Sequence, residues 1–143
     1  MLNPLTYAVS NLVNDSVLAG LMGTTVPNPQ IFTGDVDIVR EQQTSFQYPM
    51  IILHTISDVF RVMPLNARDM VVQMDIMDRT SEMDVVNIYE QVCNNFSYTN
   101  SVQGGTKIWW TRPESGADVS ETEMRIYHVR ASIIFYYFDN SPE

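Results

Sequence analysis

The chain has 143 residues, of which 45% are hydrophobic and 17% are charged. This length suits a single domain over residues 1–143, and the composition excludes a disordered chain. A chain of this size buries about two-thirds of its unfolded surface, so it needs no disulfide or metal to fold. The single cysteine, Cys93, cannot form an internal disulfide, which fits assembly in a reducing compartment.

The chain is acidic, because 8 Lys and Arg residues stand against 17 Asp and Glu residues and give a formal net charge of −9. Without excess positive charge it gains little from releasing counterions on phosphate binding, so broad nucleic-acid binding is not expected. The start, Met1-Leu2-Asn3-Pro4, has no basic leader and no apolar core, so we expect no secretion signal. No stretch approaches the roughly 18 apolar residues of a membrane helix.

The first predicted element is a helical region over residues 4–22. Pro4 suits a first helical position, and apolar residues then recur at three- and four-residue spacing: Leu5, Ala8, Val9, Leu12 and Val13. Asp15 and Ser16 can cap a further turn, and Gly23 can end it. The sequence therefore predicts a helix with a break near residue 15.

The segment 24–47 has two prolines, Gly34 and little periodicity, which predicts a long loop with one short strand at 35–40. Loops of this length in a compact domain are commonly functional.

Two strands are predicted in the middle of the chain. An apolar run follows Tyr48-Pro49 over 50–56, and extended character resumes over 59–63 before a turn at 64–66. Residues 67–77 then alternate, with four apolar side chains facing one way: Met70, Val72, Met74 and Ile76. The opposite side carries Gln73 and Asp75 and is predicted to be mixed.

A second helix is predicted over 81–96, with Ser81 as its N-cap and acidic residues in its first turn. Its apolar stripe contains Val85, Tyr89, Val92 and Phe96, with Val86 and Cys93 beside it. We interpret Cys93 as a packing residue and not as a nucleophile.

Two further strands are predicted over 106–112 and 121–139, after a polar loop at 97–105. The segment 131–138 is apolar or aromatic on both faces. In an antiparallel sheet with helices on one side, the other face is normally polar. Either a second layer of this domain covers that face, or a neighbouring subunit does. The fold class is therefore α+β: an antiparallel sheet of four to five strands, with the helices at 4–22 and 81–96 on one face.

No catalytic constellation is visible in the sequence. Both histidines, His54 and His128, fall in predicted strands without metal-ligand spacing, and no nucleotide-binding motif is present. A carboxylate cluster could hold a cation or support hydrolysis: Asp75, Asp78, Glu82 and Asp84. Its spacing matches no calcium loop, and we expect no acid to be paired with a base. We predict neither a cofactor nor a metal, and no enzymatic activity.

The order of elements resembles that of bacteriophage tail-terminator, or tail-completion, proteins. The resemblance covers nearly the whole chain and rests on the broken helix at Leu12 to Asp15, the Tyr48-Pro49 pair before an apolar strand, the strand 70–77 before a helix, and the long closing strand 121–138. It is a resemblance of architecture and pattern.

The resemblance implies a structural virion protein of the tail or neck, assembled in the host cytoplasm as a homohexameric ring. The implied partners are identical subunits, the tail-tube protein (and the sheath of a contractile tail) and the head–tail connector or stopper. DNA would pass through the lumen without specific binding, and no membrane is involved. The alternatives are another neck protein, such as a head-completion or stopper protein, and a carboxylate-based hydrolase.

Two sets of residues are candidates for contacts. For the subunit interface they are Trp110, Ile133, Phe135, Tyr136, Tyr137 and Phe138. For the tube or connector they are Pro27, Pro29, Phe32, Arg40, Arg112 and Glu114. A charge at Phe135 or Tyr137 is expected either to unfold the domain or to release a folded monomer, depending on which face of the strand is interfacial.

Overall fold

Three helices and seven strands make up the described part of the chain, which confirms the α+β class. The structure is a computed structural model that describes residues 4–35, 39, 48–60, 67–96, 101–103, 106–113, 117–118 and 126–139. Only the backbone is described at 57–60, 101–103, 106–113, 117–118 and 139. Within these ranges, the helices are too short or too polar to cross a membrane.

The predicted break in the first helical region is confirmed. Helix α1 covers Pro4–Val13 and helix α2 covers Ser16–Leu21. Asp15 lies between them with extended backbone, and its Oδ1 accepts a hydrogen bond of 3.0 Å from the Leu18 N–H. Gly23 follows α2 with φ +70°, a conformation that glycine adopts without steric strain.

Asp15 also joins α2 to the third helix, α3, which covers Glu82–Phe96. Its Oδ2 accepts hydrogen bonds of 2.9 Å from the side-chain amides of Gln91 and Asn95. Partial burial alone would raise the pKa of Asp15, but these hydrogen bonds and the one from Leu18 lower it overall. One carboxylate thus caps a helix and fixes its position against another.

We therefore expect Asp15→Ala to lower the free energy of unfolding by about 1–2 kcal/mol, since it removes a cap and two further hydrogen bonds. Urea denaturation followed by circular dichroism measures the loss. Asp15→Asn is the matched control, because it keeps one acceptor oxygen and should lose less. Equal losses in the two variants would show that the oxygen retained in Asp15→Asn contributes nothing as a cap.

Helix α3 begins as predicted, because Ser81 Oγ accepts a hydrogen bond of 3.1 Å from the Asp84 N–H. Its buried face consists of Val85, Ile88, Val92 and Phe96. Tyr89 and Cys93 lie at the margin of that face and are only half-buried. The predicted stripe is therefore correct at three of its four residues, but Ile88 takes the place of Tyr89, and Val86, predicted beside the stripe, is 36% exposed.

The sheet contains seven strands in the order β1-β2-β3-β7-β5-β4, with β6 also paired to β7. Their bounds are β1 Ile31–Thr33, β2 Met50–Phe60, β3 Ala67–Asp78, β4 Ser101–Gln103, β5 Thr106–Pro113, β6 Ala117–Asp118 and β7 Tyr127–Asp139. The β1–β2 pair is parallel and the other pairs are antiparallel. The three central strands are the long ones that the sequence predicts.

Several details differ from the prediction. The short strands β1, β4 and β6 occur in segments predicted to be loops, because each is held by a neighbouring strand and not by its own pattern. Strand β2 is continuous, with a bulge between Thr55 and Ser57. Val39 is helical, and its N–H donates to the Asp35 carbonyl at 2.9 Å, so the strand predicted at 35–40 is wrong at this residue. Asp35 is not in a strand either, and residues 36–38 and 40, the turn at 64–66 and residues 121–125 lie outside the described residues.

The main core lies between the helices and one face of the sheet. As predicted, β3 contributes Met70, Val72, Met74 and Ile76 to this face, none more than 5% exposed. Three rings meet edge to face at its centre: Tyr7, Phe96 and Phe135, with centroids 5.7–6.5 Å apart. The helix-covered face of the sheet is therefore filled by this domain's own side chains.

Candidate assembly interface

Strand β7 presents two apolar faces with different surroundings. Ile133, Phe135 and Tyr137 point towards the helices and are 1%, 0% and 2% exposed. These three predicted interface residues lie in the domain's own core, where they cannot contact a second subunit. The alternation that puts them inside places Tyr136 and Phe138 on the opposite face.

That opposite face is only partly covered. Ile134, Tyr136 and Phe138 are half-buried, and Ile134 is paired with Val71 of β3, which is also half-buried. Ile56, at the bulge of β2, is 52% exposed. We call these five residues the open face: Ile56, Val71, Ile134, Tyr136 and Phe138. Trp110 pairs with Tyr136 through the backbone, but its side chain lies outside the described part of the structure.

The other half of the same sheet face is covered by the chain itself. Met50, Ile52 and Met77 are fully buried there in a second apolar cluster. The residues that cover them are Val39 and Ile126, with Phe32 and Tyr48 packed alongside. The sheet face away from the helices is thus divided into a closed half and an open face.

A polar network that the sequence did not predict separates the two halves. Asp75 is fully buried, and its Oδ1 lies 2.6 Å from Nε2 of His128 and 2.9 Å from Nε of Arg130. Its Oδ2 accepts a hydrogen bond of 3.0 Å from the Gln73 amide. The expectation that no acid is paired with a base is therefore wrong.

The network keeps Asp75 ionised. Burial alone would raise the pKa of this carboxyl, but hydrogen bonds from His128, Arg130 and Gln73 and the attraction of His128 outweigh burial and lower the pKa. His128 is 4% exposed, whereas the Arg130 side chain is 46% exposed. The guanidinium thus satisfies the buried carboxylate on one side and borders the open face on the other.

The sequence contained the parts of this network but not their pairing. Asp75 faces Arg130 across β3 and β7, and His128 is two residues earlier on the same side of β7. Residues 53 positions apart can be matched only when the strand register is known. The one signal in the sequence was the alternation of side chains along each strand, which indicates the sheet face on which each residue lies but not its partner on the next strand.

The network has the character of a structural element more than a reactive site. The Asp75 carboxylate is enclosed by the protein. Cys93, which lies outside the network, is not activated either, because burial raises the pKa of its thiol despite a hydrogen bond from Tyr89. Among the side chains that the structure describes, no three His, Cys, Asp or Glu residues are grouped to hold a metal ion. The four carboxylates that the sequence offered as a possible cation site are therefore not grouped as one within these residues.

The candidates for tube or connector contact are spread over several places. Pro27 and Pro29 are exposed on either side of Asn28, which is 3% exposed and whose side chain accepts a hydrogen bond from the Gln30 N–H. Phe32 is half-buried against the second apolar cluster. Arg112 is described only as backbone in β5, and Arg40 and Glu114 lie outside the described residues. Among the candidates whose side chains the structure describes, the two prolines form an exposed pair.

Comparison with known proteins shows a likeness of fold. No protein-family model and no curated protein matches the sequence. Among solved structures, the chain is similar to one from the "Virion of native gene transfer agent (GTA) particle", with a TM-score of 0.65 and 7% sequence identity. The match covers 92% of this chain and 91% of that one. The two proteins therefore share a fold over nearly their whole length.

Proposed function

We propose that the protein is a structural virion component, and specifically a tail terminator. In this role it forms a homohexameric ring at the head-proximal end of a phage tail, stops tail-tube polymerisation and joins the tail to the head connector. The observation that carries the proposal is the fold shared, almost end to end, with a chain of a gene transfer agent virion. The order of elements that resembles tail terminators gives the specific role.

The open face supports assembly with identical subunits. Exposed apolar patches on one domain commonly mark contacts between proteins, and aromatic residues and arginine are enriched at the centre of such contacts. Tyr136, Phe138 and Arg130 lie along one side of β7 and have this composition. Of the original interface candidates, Tyr136, Phe138 and Trp110 remain in the proposal.

The remaining surfaces have roles that follow from a ring. The exposed turn at Pro27 and Pro29 is our candidate for contact with the tail tube or connector. The net charge of −9 on each copy gives the ring an acidic character that repels phosphates, so DNA passes the lumen without being bound. The enclosed Asp75 supports a structural role over hydrolysis, because a substrate cannot reach its carboxylate in this conformation.

Electron microscopy of particles assembled without the protein tests the role. Loss of a terminator gives overlong tails, since tube polymerisation no longer stops. Loss of a head-completion or stopper protein instead leaves heads that leak DNA, and that outcome would assign the protein to the neck in the alternative role. Particles with normal heads and tails would reject both.

We expect charges on the open face to abolish assembly without unfolding the domain. Ile56→Asp and Tyr136→Asp each place a carboxylate where a neighbouring subunit would exclude water, which desolvates the charge. Light scattering should show a monomer, and circular dichroism should show native secondary structure. Val26→Asp is the matched control, because Val26 is 46% exposed and lies in the loop between α2 and β1. Retention of the ring by both open-face variants would remove this surface from the interface.

A further inference from the structure

Helix α3 carries a second exposed apolar patch, on the side away from the sheet. Met83 is 66% exposed and Val86 is 36% exposed. By contrast, Val85 and Ile88 lie on the buried side of the same helix. Residues three and four apart on a helix are neighbours, so Glu82 and Glu90 flank Val86 on its two sides. Both glutamates are exposed. We call these four residues the α3 patch: Glu82, Met83, Val86 and Glu90.

The α3 patch and the open face lie on opposite layers of the domain and towards opposite ends of the sheet. Helix α3 starts directly after β3 ends at Asp78, and its last residue, Phe96, packs on Phe135. The open face lies on the far side of the sheet at the end occupied by Phe135, since Ile134 and Tyr136 are its neighbours in β7. No single copy can bring the two patches together.

The two patches are complementary in charge as well as in polarity. Arg130 borders the open face with a side chain that is 46% exposed, while the α3 patch presents two carboxylates beside its apolar centre. Asp69 also lies on the open side of the sheet. It is paired with Tyr136, is half-buried and lies at the end of the open face that is far from Arg130. The cation and the acidic flanks are therefore placed to meet while Met83 and Val86 cover apolar side chains.

We propose that the α3 patch of one copy seats on the open face of the next. This inference rests on the proposed ring and specifies its contact. Because the two patches differ, the contact is heterologous: each copy offers its helix to one neighbour and its sheet to the other. Met83 and Val86 pack over Ile56 and Val71, and the glutamates approach the outer nitrogens of Arg130.

Disulfide trapping between copies tests the contact, in a Cys93→Ser background that removes the only native thiol. One chain carries Met83→Cys and a second carries Ile56→Cys. Mixed, disassembled and reassembled under mild oxidation, the two are expected to form a covalent dimer that neither forms alone. A single chain with both substitutions should form a ladder of linked species ending at the ring. Cysteines join readily only when their Cβ atoms come within about 4.5 Å, so the readout is local.

The controls separate this inference from the proposed function. Val17→Cys, on α2 and 59% exposed, replaces Met83→Cys as a matched exposed position and should not join to Ile56→Cys. A ring in light scattering without Met83–Ile56 linkage would overturn the inference and leave the proposed function standing. Linkage of Met83→Cys to itself would overturn the heterologous geometry. A chain that remains monomeric at all concentrations would overturn the ring and the contact together.

Discussion

Phe135→Asp is expected to leave the chain unfolded at neutral pH. Phe135 is fully buried and contacts the rings of Tyr7 and Phe96, so the substitution removes an aromatic side chain and places a charge among apolar groups. Loss of the ring alone costs about 3–5 kcal/mol, and burying an unpaired carboxylate costs several more. Domains of this size are stable by only about 5–15 kcal/mol, so little or no native state should remain.

The measurement is circular dichroism with thermal and urea denaturation. Tyr136→Asp is a close control, since it introduces the same charge one residue away on the other face of β7 and is expected to stay folded. Phe135→Leu, which keeps most of the apolar volume, should fold with a reduced midpoint. A cooperatively folded Phe135→Asp protein would show that β7 is turned the other way and that the core assignment is wrong.

Asp75→Ala is expected to cost about 3–5 kcal/mol, the loss typical of breaking a buried ion pair from one side. His128, which is 4% exposed, would lose the carboxylate that contacts its buried ring, and Arg130 would lose the acceptor for its Nε. Asp75→Asn is the matched control, because it keeps the shape and one acceptor oxygen and should lose less. Urea denaturation at pH 7 measures both losses. Wild-type stability in Asp75→Ala would mean that the network contributes nothing.

Acid should remove the same stabilisation. The pKa of Asp75 in the folded chain lies below its ordinary value of 3.8. The carboxylate therefore contributes stability that is fully present above the unfolded pKa and is lost as the pH falls through the lower, folded pKa. The difference in unfolding free energy between wild type and Asp75→Asn should be constant near neutrality and shrink below about pH 4. A difference that stayed unchanged in acid would contradict the ionised state of Asp75.

The elements that local chemistry determines were predictable from the sequence. Asp15 and Ser81 cap their helices as expected, because a cap depends on residues only three positions away. The alternation in β3 correctly placed Met74 inside and Gln73 and Asp75 on the other side. By contrast, β1 and β4 have three residues each and carry no pattern of their own, so their pairing with long neighbours defines them.

The candidate site was harder to predict, because it depends on strand register. Both phases of β7 are apolar, and only the pairing with β3 and the position of the helices show that Phe135 is inside and Tyr136 outside. The same register brings Asp75 to Arg130. The presence of surplus apolar surface on β7 could thus be predicted, but the side on which it lies could not.

The bulges in β2 and β5 also affect how copies of this chain can associate. Each bulge adds local right-handed twist to a strand near the margin of the described sheet. Strand β2 lies next to the edge strand β1, and β5, which carries its bulge between Ile108 and Trp110, lies next to the edge strand β4. A twisted margin is a poor template for another strand, which is one way in which proteins avoid fibril growth. Extension of the sheet from molecule to molecule is therefore disfavoured, and association through broad surfaces can end at a fixed number of copies.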